Sequence, residues 1–143
     1  MKRFVLLVTL LAVLFSFAGC GMWEKEKNNV FSLVEENYDT IVAACEQKDK
    51  DTLLAMDGIT DVRLAVGYVL VQCKSAGIAP SSQDYGFYYT ENNIPIGVGY
   101  DLQIECYSDA MQPKGKGYEG TVNHNTFYTE QIKGNIYFYS NAY

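Results

Sequence analysis

The residues with chemistry open to them are few. Four cysteines and one histidine stand in 143 residues. Cys45, Cys73 and Cys106 lie far apart, with no C-x-x-C spacing at any of them, so no zinc site and no cofactor is expected. Cys73 shares strand parity with Val69 and Val71, and Cys106 with Leu102 and Ile104, which puts both thiols on an apolar face. Two outcomes are open to them: small buried core residues, or a Cys73–Cys106 disulfide in an oxidising compartment. Glu105 and Glu119 fall in separate strand-like segments, from which two carboxylates can flank a bond for acid–base hydrolysis. His124 lies in the polar turn Asn123-His124-Asn125, where an imidazole is ordinarily solvated. Ser81 and Ser82 lack the G-x-S-x-G elbow. Gly115-x-Gly117-x-x-Gly120 has the dinucleotide spacing but no strand-to-helix frame, so it reads as a turn. No catalytic set is assigned.

The feature above background is aromatic. Ten of the 12 tyrosines lie from Tyr85 onward, and aromatics are 14% of the chain. A hairpin is expected over Thr126–Ile132 and Asn135–Ser140. The two plausible turn registers differ by two residues, so in both Phe127, Ile136 and Phe138 share one face and Tyr128, Tyr137 and Tyr139 the other. Tyr joins a large apolar body to a polar tip, which suits an interface. Tyr128, Tyr137 and Tyr139 are therefore a candidate binding surface.

These residues need a frame. Phe31, Val34, Tyr38, Ile41 and Cys45 are spaced 3, 4, 3 and 4, which lines one helix face. Asp51 is placed to cap a short second helix through Met56, ended by Asp57-Gly58. The rest reads as strands: Val62–Val66, Tyr68–Cys73, Phe87–Thr90 in a hairpin with Ile94–Val98, Tyr100–Tyr107, Tyr118–Val122 and the final hairpin. Ser75–Asp84, rich in Gly, Ala, Pro and Ser, is expected as a loop, and Gln112–Gly117 as a turn. The expected fold is α+β: an N-terminal amphipathic helix and a short second helix, packed on a meandering antiparallel sheet of about six or seven strands. One domain over 30–143 accommodates it.

The first twenty residues are of another kind. Met1-Lys2-Arg3 precedes an apolar run, Phe4–Ala18, broken only by Thr9 and Ser16. Fifteen residues make a helix of about 22 Å, short of the roughly 30 Å hydrocarbon layer, which reads as a secretory signal. Phe17-Ala18-Gly19-Cys20 then resembles the lipobox of bacterial lipoproteins, with Phe17 in place of the usual Leu. The resemblance implies that residues 1–19 are a cleaved signal peptide and that Cys20 carries the lipid. Residues 20–29 are expected as a polar spacer. Trp23 within it is expected either at the headgroup level or packed on the domain.

Gly77-Ile78-Ala79-Pro80-Ser81-Ser82, then Gly86-Phe87-Tyr88-Tyr89, Asn92-Asn93 and Pro95, resemble a segment of small lipoproteins of Gram-positive bacteria, a family with no established activity to carry over. Charge adds one exclusion. The chain carries 17 acidic and 11 basic groups; without Lys2 and Arg3 the basic groups are 9 and the net charge is −8. Such a surface does not suit nucleic acid. The expectation is a lipoprotein held by Cys20 on the extracytoplasmic face of the cell membrane, binding an envelope protein or glycan. The alternatives are an envelope hydrolase with an acidic site and an inhibitor or immunity-type protein that complements a basic target.

Overall fold

The computed structural model describes residues 23–78, 81–98, 104–105, 111–122 and 125–142. Cys20, Cys106 and His124 lie outside the described residues, as does any Cys73–Cys106 bond.

The fold is α+β. Helix α1 covers 23–36, α2 runs Tyr38–Gln47 and α3 runs Lys50–Leu54. Val30, Val34, Ile41, Ala44 and Cys45 are buried, so the 3-4 spacing did align one face. The stripe is carried by two helices, not one. The junction is Asn37, whose side-chain amide donates to the Leu33 carbonyl at 2.9 Å in competition with the helical ladder. Asp49, not Asp51, caps α3: its carboxylate accepts from the Thr52 amide at 3.1 Å and the Thr52 hydroxyl at 2.6 Å.

Strands β1 (Asp61–Ala65), β2 (Tyr68–Ile78), β3 (Ser81–Thr90), β6 (Gln112–Lys114), β7 (Gly117–Val122), β8 (Asn125–Lys133) and β9 (Ile136–Ala142) form a seven-stranded antiparallel sheet, ordered β1-β2-β3-β9-β8-β7-β6. Strands β4 (Gly97–Val98) and β5 (Ile104–Glu105) form a separate small sheet. Three expectations are corrected here. Ser75–Asp84 is not a loop: it closes a hairpin with Ser75 opposite Asp84 and Gln72 bonded to the Asp84 carboxylate at 3.0 Å, so cross-strand pairing outweighs local composition. Gln112–Lys114 is an edge strand, turned at Gly115 with φ +60. Phe87–Thr90 does not pair with Ile94–Val98. Its partners are β2 and β9, and the chain leaves the sheet after Thr90 through Asn93, which has φ +52.

The middle strands of the sheet are buried on both faces. On one side lie the helices, with Val62, Val69, Val71, Tyr85, Phe87, Ile136 and Phe138 as the core. On the other side Leu70, Tyr88, Tyr137 and Tyr139 are buried with Val98 of β4 and with Ile96. Gly97 of β4 lies against the Phe127 ring, which a Cβ would meet at 2.9 Å. The small sheet is thus a lid over the face opposite the helices.

Candidate functional site

The expected tyrosine surface does not exist as such. Pairing runs Lys133↔Ile136 and then Gln131↔Tyr137, with a bulge between. One extra residue, Ile132, inverts the parity of β8 relative to β9 beyond that point. Tyr128 therefore shares the helix-side face with Phe138 and Ser140. Tyr137, Tyr139 and Phe127 are on the opposite face. Tyr139 is 0% exposed, and Tyr137 stacks on Tyr88 with centroids 5.3 Å apart and planes at 5°. They are core residues under the lid.

Tyr128 alone reaches a cleft. α1 covers the sheet only in part, and where it stops a cavity of about 430 Å³ opens beside Trp23. Its floor follows the register. Gln83, Ala142 and Thr126 are cross-strand neighbours in one row, and Ser140, Tyr128 and Glu119 in the next. Phe127, with Lys114 and Gly115 at the β6–β7 turn, also lines it, and Lys114 pairs with Glu119 at the exposed edge. The cleft is mainly apolar with a polar rim, the usual character of a ligand site.

Trp23 is held in place on three sides. Its ring meets Tyr128 edge-on at 5.7 Å and Phe138 at 6.5 Å, and its Nε1 donates to Ser140 Oγ at 3.4 Å. Trp23 thus packs on the domain. One turn later, Lys27 Nζ lies 5.3 Å from the Trp23 ring, 5.4 Å from Phe31 and 5.6 Å from Tyr128, and it pairs with Glu130. The Tyr128 hydroxyl donates to the same carboxylate at 2.6 Å. Burial, then the bond to Glu130 and its charge, hold the Tyr128 phenol well above its ordinary range, so it stays a neutral donor. Glu26, 8% exposed, pairs with Lys74 of β2. The stretch expected as a spacer is therefore helical from residue 23 and clamped to the sheet.

The other candidates are scattered. Glu105 is opposite Gly97 in the small sheet and Glu119 is on β7 of the large one, so the two stand in different sheets. Among the described residues Cys45 and Cys73 have no disulfide partner and lie on the helix-side core. Burial pushes each up to about 12, with the Glu46 charge adding at Cys45, so neither is a ready nucleophile. Among the described residues no group of three or more His, Cys, Asp or Glu side chains is arranged for a metal, and no helix is long and apolar enough to cross a membrane.

Comparison of the chain with protein-family models, with curated proteins and with solved structures finds no match.

Sequence reasoning singled out Tyr128 and Glu119 and raised Trp23. It missed Lys27, Glu130, Ser140 and Ala142. A signal for Lys27 was present: Trp23, Lys27 and Phe31 are spaced by four, as on one helix face.

Proposed function

We propose that this protein is a lipoprotein anchored through Cys20 on the extracytoplasmic face of the cell membrane, and that it acts there as a binding module using the cleft beside Trp23. The observation that supports the anchor is Phe17-Ala18-Gly19-Cys20 directly after a basic start and a short apolar run. Binding is favoured over hydrolysis because among the described residues the cleft offers one carboxylate, Glu119, already paired with Lys114, where two facing carboxylates are needed.

The test is metabolic labelling with radioactive palmitate in a bacterial host. The native chain should incorporate label and partition with membranes, whereas Cys20→Ala should take up none and should accumulate unprocessed or be released. A correctly cleaved, unlabelled product that remains on the membrane would show the anchor reading to be wrong.

A further inference from the structure

Trp23 lines the cleft, and Cys20 precedes it by three residues. Three residues reach about 10 Å at full extension. A lipid on Cys20 therefore keeps the mouth of the cleft within headgroup depth of the bilayer, whatever path the intervening residues take. At that depth the most concentrated partner is membrane lipid. The lining suits its tail: the Trp23 and Tyr128 rings, Ala142 and Thr126 offer apolar surface, and Lys114, 58% exposed, stands at the edge. In water such a cleft leaves apolar surface exposed, which is unfavourable. Beside a bilayer an acyl chain covers it at small cost, because hydrocarbon and cleft are alike as solvents for the tail.

We infer that the cleft takes the acyl chain of a membrane phospholipid, which makes the protein a lipid-binding module that works at the surface it is anchored to. The inference rests on the anchored reading above. It treats the cleft, and not the tether alone, as a contact with lipid.

The experiment uses the full processed lipoprotein, reconstituted in phosphatidylglycerol vesicles doped with a phosphatidylglycerol bearing a mid-chain diazirine. After irradiation, labelled residues are located by mass spectrometry and anchoring is read by flotation. Label is expected at Tyr128, Ala142 and Trp23. Ala142→Phe fills the cleft and displaces at least two methylenes, so label there should fall about tenfold while flotation is unchanged. Thr126→Phe fills it from the neighbouring strand and gives the same result should the first variant fold poorly. A floating, folded protein with no cleft label, or with label only outside it, overturns the acyl-chain inference and leaves the anchor standing. A chain that does not float overturns the anchor. A diazirine-bearing fatty acid added to that soluble chain then decides the cleft: label at Tyr128 and Ala142 upholds it, and none overturns it.

Discussion

A chain of donors runs through the buried face under the lid. The Ile96 amide donates to the Tyr88 hydroxyl at 3.0 Å, Tyr88 meets Thr129 Oγ1 at 2.5 Å, and Thr129 donates to the Phe138 carbonyl at 3.0 Å. Tyr88 and Thr129 are both 0% exposed, so water cannot replace a lost partner. Tyr88→Phe strands the Ile96 amide and should cost about 1–3 kcal/mol in urea unfolding at neutral pH. Burial also raises the Tyr88 phenol above its ordinary value. The folded chain then keeps a proton that the unfolded chain gives up above about pH 10. Stability is full below that pH and is lost as pH climbs through the raised value. In Tyr88→Phe that alkaline loss should shrink. An alkaline limb identical to the native one would show that Tyr88 does not carry it. At this scale the sequence was half legible. Residue types and burial could be read from alternation, but one bulged residue, Ile132, reversed which tyrosines share a face, and a bulge has no composition signature here.

The docking of α1 is the element on which the site depends. Its inner stripe, Trp23, Glu26, Lys27, Val30, Phe31 and Val34, places two charges among apolar groups. Each charge meets a partner on a strand: Lys74 for Glu26, and Glu130 for Lys27. The Lys27 and Glu130 side chains are 16% and 6% exposed, so removing one partner leaves the other charge buried. Lys27→Met should lower stability by about 3 kcal/mol in urea unfolding. Adding Glu130→Gln should recover part of it, since the amide oxygen still accepts from Tyr128. A Lys27→Met loss within a few tenths of a kcal/mol would mean that the pair is solvated. These pairings also explain why Glu24-Lys25-Glu26-Lys27 reads as a solvated spacer. The alternating charges hide the helical period, and their partners are more than forty positions away. The helical stripe over 30–45 was legible because it is apolar throughout, whereas the break at Asn37 that divides it between α1 and α2 was not. The two-layer α+β plan was legible for the same reason. The strand order was not: β9 enters between β3 and β8, a pairing fixed by long-range contacts that local pattern does not encode.

At the scale of the molecule there are three layers. The helices pack on the large sheet and the small β4–β5 sheet closes its far face. A lipid on Cys20, as proposed, would be separated from α1 by residues 21 and 22 alone. This separates two behaviours that fractionation alone cannot distinguish. Trypsin must cut between the lipid and the body to shed the domain, and Lys25 and Lys27 stand there inside a docked helix. A helical segment enters a protease site only after it opens, so the shedding rate follows the free energy of undocking α1. Vesicle-bound native protein should therefore hold its domain under trypsin under conditions that cleave the urea-unfolded chain. In Lys27→Met, where Lys25 remains as the target, shedding should rise about a hundredfold, the equivalent of about 3 kcal/mol. Native protein shed as fast as the variant would place α1 off the sheet in the anchored state. Trp23 would then be withdrawn from the cleft it lines.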